Sequence, residues 1–524
     1  MKQMKEINIK EIKEEVVKIL NKLRYVIEFL LMLITITNIY KFITTIEYVG
    51  YVSVKSIIVL YISGILAITS LIYNCIKDKD KIENIFLNFA IPVGLLYIVF
   101  MIPIYTPDAD AHIWKAYEVS EGIFYTPVDE NGNALTTVPA ILPEINRYTV
   151  SEYNVMNNLM QNPEAYNYEN ATEVDSPAKL YSTVFYIFYA IGFAISRFLG
   201  LNMFTAFFLA RIINYIVVLA VQYIAIKKIP FGKLLLAIYF LMPMAIHQST
   251  AISMDSIMNA LMMLFISYTL NLSLKKDKLK IKEVITFLVL TGFIGLSKLT
   301  YIPLIGIGLI LAKHRKELNK KQKVLLGILT VIICLCSVLV MNAMTKGYTN
   351  ASAEEYLTET GVNSEEQLKL MISNPANYLK VLYNDFRVHI DFYLLSCIGE
   401  YMGWLTITFP ATYVILYVII LFLSIFLEKN EHVLDKMDKI WMLILTIIIY
   451  LLIVTALYLE WTKVGAMTIA GVQGRYFLPI FILPLLCLSQ KNNYIKMKNV
   501  NIIIPLLAAI VNLLFIMQII RFFL

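Results

Sequence analysis

The polar residues that could do chemistry in this chain collect in four short segments. The first is Thr106-Pro107-Asp108-Ala109-Asp110-Ala111-His112-Ile113-Trp114-Lys115, with two carboxylates and an imidazole inside five residues. A carboxylate in that setting can take a proton from a hydroxyl, and the three groups together can hold a divalent cation. The plain alternative is a loop start whose Asp caps the next helix. The second segment runs from His247 to Asp255. Asp255 either joins the first site or, with Ser253, caps the helix beginning there, and capping is the default for an isolated motif. The third is Ser297-Lys298 with Tyr301 and Pro303, a lone cation in an apolar run. Lys298 can neutralise a phosphate or snorkel to an interface, and taken alone it snorkels. The fourth is Gly471-Val472-Gln473-Gly474-Arg475-Tyr476. The planar fork of Arg475 suits a phosphate through paired hydrogen bonds, or serves as an anchor in an aromatic belt.

What must position these residues follows from the solvent. Of 524 residues 59% are hydrophobic and 16% charged, against roughly 45–50% and about 25% in soluble proteins. The apolar residues come in unbroken runs such as 57–72 and 324–340. A hydrocarbon core of ~30 Å takes about 20 such residues per helix. The chain is therefore an all-α polytopic membrane protein. Its net charge of +7 does not indicate nucleic acid, because the cations lie in short clusters between apolar runs, as the positive-inside rule expects. The five cysteines have no metal-ligand spacing and no disulfide framework. No Walker motif, dinucleotide fingerprint or zinc-binding helix is present, which argues against an ATP-driven pump.

Spans are expected at about 25–46, 53–75 and 85–105, with a cytoplasmic N-terminus. An outer loop over about 106–176 follows, where twelve acids face only Lys115 and Arg147. If 179–199 crossed the membrane, every later basic cluster would be inverted, so it is read as interfacial or re-entrant. Further spans are expected at about 203–226, 232–248, 253–274, 282–297, 298–312 and 323–344. A second outer loop, about 346–390, is expected to carry a surface helical hairpin over 352–372. Spans at about 409–427, 440–459, 476–489 and 500–520 then give about 13 crossings. His314 and His432 are read as solvated and His389 as isolated. Asn170-Ala171-Thr172 and Asn350-Ala351-Ser352 fit a glycosylation triplet that is common by chance.

In this order the segments resemble the DUF2142 family of bacterial polytopic membrane proteins, placed with the GT-C superfamily of membrane glycosyltransferases. The resemblance covers about residues 85–490. It is carried by Thr106–Tyr117 with Ser120-Glu121-Gly122, Ser176-Pro177-Ala178-Lys179-Leu180-Tyr181, Ala210-Arg211-Ile212-Ile213-Asn214, Ser253-Met254-Asp255, Ser297–Tyr301, Gly399–Trp404 and Gly471–Pro479. Where the family has a Glu after its first Asp, this chain has Ala109, and Asp110 replaces a Pro. The role of base therefore falls first on Asp108, with Asp110 as its substitute one position later.

The resemblance implies a GT-C-like bundle: residues 1–84 as a cytoplasmic N-terminus with two accessory helices, 85–490 as the core, and 491–524 as a last helix. It implies transfer of a sugar from a polyprenyl-phosphate carrier to an envelope glycan or lipid acceptor on the outer face, with inversion. Asp108 and Asp110 are the catalytic candidates. His112, Lys115, Lys179, Arg211, Asp255, Lys298, Tyr301, Trp404, Arg475 and Tyr476 are the substrate-binding ones. No cofactor is expected; a divalent cation held by Asp108, Asp110, His112 and Asp255 is the alternative, and without the family's Glu the reading is no metal. A transporter or flippase of a lipid-linked sugar would use the same charges. Transporters often carry an inverted repeat, and none is visible here.

Overall fold

The computed structural model describes residues 9–126, 128–162, 171–175, 177–348, 357–492 and 497–524. Asn170, Asn350, Ser176 and the first part of the expected 352–372 hairpin lie outside the described residues. Three long helices open the chain: α1 (Ile9–Val49), α2 (Val54–Lys77) and α3 (Ile82–Phe100). The first large loop carries α4 (Ala109–Ser120), β1 (Leu135–Pro139), α5 (Ile141–Glu144), α6 (Tyr153–Gln161) and β2 (Ala171–Asp175). β1 and β2 pair antiparallel, Leu135 opposite Asp175. Then come α7 (Ile187–Phe198), α8 (Met203–Lys228), α9 (Lys233–Phe240), α10 (Pro243–Thr250), α11 (Met254–Leu274) and α12 (Ile281–Gly295). A 3-10 turn, Leu299–Ile307, leads into α13 (Gly308–His314), followed by α14 (Lys320–Thr345), α15 (Ser364–Ser373) and α16 (Pro375–Ile398). A short hairpin of β3 (Tyr401–Met402) and β4 (Ile407–Thr408) precedes α17 (Ala411–Leu427) and α18 (Lys436–Glu460). A second 3-10 turn, Gly474–Phe477, enters α19 (Leu478–Cys487), and α20 is Val500–Phe523.

Among the described residues eight helices are long and apolar enough to cross a membrane: Leu23–Val49 of α1, then α2, α3, α8, α11, α14, α18 and α20. The chain is a mostly helical, multi-pass membrane protein. Most of the apolar windows of α3 and α11 are buried, 72% each, so these two form the centre of the bundle. Those of α2 and α14 are 11% and 17% buried, so their apolar side chains face lipid.

Several expected spans take another form. The run 232–248 is broken at Leu241–Met242 into α9 and α10, because Pro243 cannot donate within a continuing helix but fits the first turn of a new one. The run 298–312 begins as a 3-10 turn containing Pro303. Residues 375–398, of which 375–390 are expected as outer loop, are one helix, started by Pro375 and capped by the Asn374 side chain on the Asn377 amide. The 179–199 segment holds a 3-10 turn, Thr183–Tyr186, that runs into α7; the apolar helix Thr183–Phe198 is shorter than the eight long ones, and α7 packs on α8 and α4.

Helix direction then dictates where the site sits. α3 and α12 end, and α11 and the 474–487 helix begin, at the same end of the bundle. That end carries Asp108, Asp255, Lys298 and Arg475. The opposite end carries Lys77, Lys228, Lys275, Lys313 and Lys439.

Candidate functional site

Asp108 is the residue before α4, and its carboxylate makes no capping hydrogen bond. Its backbone is left-handed, φ 59°, a conformation few side chains tolerate but Asp tolerates best after Gly and Asn. The twist leaves the side chain 57% exposed, with Oδ2 3.5 Å from Nη2 of Arg475. The capping alternative thus fails for Asp108. At α11 capping and site coexist: Ser253 Oγ accepts the Asp255 amide, while the Asp255 carboxylate pairs with Lys298 Nζ at 2.8 Å.

Arg475 is pinned from both sides. The Gly474 amide donates to Ser396 Oγ at 3.2 Å, and the Tyr476 carbonyl accepts from Tyr301 Oη at 2.8 Å. A Cβ at Gly474 would collide with the backbone of Ser396 and Cys397, so only glycine permits the turn to seat this deeply against α16. Arg475 Nε donates to Gln473 Oε1 at 2.8 Å. The guanidinium lies 5.2 Å and the Lys298 ammonium 5.3 Å from the Tyr476 ring centre, so two cations share one aromatic ring.

His112 is buried behind these charges. Its Nδ1 is 2.6 Å from Tyr186 Oη, its Nε2 is 3.4 Å from Ser253 Oγ, and its ring stacks on Tyr181. Burial pushes its pKa down to about 4, so the imidazole is neutral at pH 7 and adds no charge to the cluster. Asp110 is partly buried in the first turn of α4, and burial raises its pKa.

The other expected binding residues do other work. Lys115 is buried against Glu118 at 3.2 Å, and Lys179 sits beside the same carboxylate, donating to the Thr126 carbonyl. Arg211 is fully buried. It donates to the carbonyls of Thr250 (2.7 Å), Ile98 (2.8 Å), Met101 (2.9 Å) and Tyr97 (3.2 Å), which ends α3 and α10 with satisfied acceptors. Its hydrogen bonds all go to these helix ends. Trp404 packs under Arg147, 4.0 Å from guanidinium to ring, and so joins the first loop to the β3–β4 hairpin. His389 is not isolated: it bonds Asp385 at 2.8 Å. His314 is paired with Asp438 at 2.6 Å.

The carboxylates and imidazole of Asp108, Asp110, His112 and Asp255 do not gather their ligand atoms around one point. Among the described residues the group that does is His314, Asp435 and Asp438 at the lysine-rich end, where Lys313 bonds both carboxylates.

Beside Lys298 opens a cavity of about 490 Å³. Tyr181, Lys298, Tyr301 and Tyr476 line it with Asn342, Thr345 and Glu460, and Met341 of α14 and Ile453 of α18 are among its apolar walls. A second, smaller cavity is lined by Arg475 itself, with His247, Gln248 and Gln473 among others. Sequence reading passed over His247, Gln248 and Tyr186. Tyr186 sits in an apolar run with nothing to mark it; the other two lie within the His247–Asp255 segment and carry no formal charge.

Residues 91–484 match the model of a family described as predicted membrane protein, DUF2142. No curated protein and no solved structure matches the chain.

Proposed function

The chain belongs to the DUF2142 family of predicted membrane proteins, and on that premise we propose that it is a GT-C-type glycosyltransferase. It takes a sugar from a polyprenyl-phosphate carrier and transfers it, with inversion, to an envelope glycan or lipid acceptor. The bundle crosses the membrane about 13 times, N-terminus in the cytoplasm, with the Asp108 end outside and the lysine-rich end inside. The observation that carries this reading is the backbone of Asp108. A left-handed, uncapped, exposed carboxylate facing an arginine is a strained arrangement, and strain of this kind gathers at functional sites.

The chemistry follows from the surroundings. The lipid chain lies in the cavity between α14 and α18, and its phosphate meets Lys298 and Arg475. An acceptor hydroxyl attacks the anomeric carbon as the carbon–oxygen bond to phosphate breaks. Asp108 takes the hydroxyl proton, and the two cations stabilise the departing lipid phosphate. Holding donor and acceptor in line lowers the barrier further. Asp110, less exposed, stands next to this path as the substitute base.

The test is transfer by the purified chain in nanodiscs, supplied with polyprenyl-phosphate sugars and envelope glycan fragments. Product that vanishes with Asp108→Asn supports the proposal. Movement of the lipid between leaflets without product supports a flippase instead and overturns it. Glycan analysis of cells with and without the protein names the sugar.

A further inference from the structure

His247 and Gln248 are 1% and 2% exposed, yet neither ring nitrogen of His247 and not the Oε1 of Gln248 has a hydrogen-bond partner. Leaving such groups unpaired away from water is costly. Both line the small cavity beside Arg475, together with Gln473, Ser396, Tyr401 and Pro107. Leu405, also in the lining, has φ 62°, a left-handed backbone that is a genuine outlier for a bulky side chain. The residue after Pro107 is the left-handed Asp108. Two strained turns thus bound one pocket that holds unpaired polar groups.

The pocket has a definite place relative to the proposed donor site. Tyr476 lines the cavity running toward α14 and α18, while its neighbour Arg475 lines this one. A phosphate bridging Lys298, which lines the first cavity, and Arg475, which lines this one, would border both. The lining has no net charge beyond Arg475, which already bonds Gln473 and approaches Asp108. A neutral imidazole and an amide offer both donors and acceptors, and Met244, Tyr401 and Leu405 supply apolar walls. That mixture fits a sugar edge, with hydroxyls and C–H faces, better than a second anion. The free volume, about 10 Å³, admits one water-sized group.

We propose that His247 and Gln248 form a subsite for a hydroxyl or hydroxymethyl group of the transferred sugar. This rests on the donor reading above. The full chain in nanodiscs is titrated with undecaprenyl phosphate and with the same lipid phosphate bearing glucose, mannose or N-acetylglucosamine. Wild type is expected to bind one sugar-bearing lipid about tenfold more tightly than the bare one, the factor for ~1.4 kcal/mol. His247→Leu and Gln248→Met each erase that difference and leave the bare lipid phosphate bound as before, which also shows that the variant is folded. If His247→Leu loses both ligands, the near-isosteric Gln248→Met decides. Equal binding of bare and sugar-bearing lipids, or a preference that survives Gln248→Met, overturns the subsite and leaves an ordered water as the partner of these groups. Failure of wild type to bind any of the lipids overturns the donor reading and the subsite with it.

Discussion

Nζ of Lys298, at the exit of α12, lies 2.8 Å from Oδ1 of Asp255, at the entry of α11. The carboxylate is almost wholly buried and the ammonium one-quarter exposed. A lysine alone at that depth would have to snorkel. Paired, it stays where it is and remains charged beside Arg475 and Tyr476. The pair therefore both joins two helix ends and holds a cation ready for an anion.

Asp255→Asn should lower stability by roughly 2–3 kcal/mol, because it strands a largely buried cation. Adding Lys298→Met should restore most of that loss, since two apolar or neutral groups can replace a buried pair. Melting curves in one detergent compare wild type, Asp255→Asn, Lys298→Met and the double variant. A double variant as unstable as Asp255→Asn would show that the pair does not link the helices. Binding of undecaprenyl phosphate should stay weak in both Lys298 variants.

Asp108→Asn should reduce transfer by about 10²–10⁴-fold, the usual share of a general base. Its melting temperature should hold, because Asn tolerates the left-handed backbone as well as Asp does. Asp108→Ala, which lacks that tolerance, should lose both activity and ~1 kcal/mol of stability. Turnover by Asp108→Asn close to wild type would move the base to Asp110.

The solvent and the long spans were legible because unbroken apolar runs of the required length have few other uses. The four polar segments were legible for the same reason, since charges stand out in such a background. Their meeting was not. Nothing in the local pattern around Lys298 distinguishes snorkelling from pairing, because its partner lies across two helix ends. Capping was read as a rival to function at Asp255, yet Ser253 performs the capping and frees the carboxylate. For Asp108 the deciding fact is a positive φ, which the residue types around it do not announce. The break at Met242 was marked by Pro243, a signal outweighed by the length of the apolar run.

Arg211 and Arg475 should separate cleanly. Arg211→Met removes the donors to four buried carbonyls and should cost at least ~3 kcal/mol, seen as lost folded yield and a lower melting temperature. Arg475→Lys keeps a cation but loses the fork, and should weaken undecaprenyl phosphate binding about tenfold in a folded protein. An Arg211→Met protein that melts as wild type would mean those carbonyls find other partners.

Acid should act through His112. In the folded protein burial pushes its pKa down to about 4, while in the unfolded chain it is ~6.5. Between these values the unfolded chain binds the proton and the folded one does not. Stability from this group is thus complete above pH 6.5 and falls as pH drops toward 4, by about 2 kcal/mol at pH 5. Burial is the largest influence and, with Lys298 and Arg475, opposes the protonated ring, while Asp255 and Asp108 favour it. His112→Asn removes the titration, so its melting temperature should fall less than that of wild type between pH 7 and pH 5. Other acid-sensitive groups are common to both proteins and cancel in the comparison. Equal falls would place a polar, proton-accepting environment around His112 in place of the buried one bounded by Tyr181 and Tyr186.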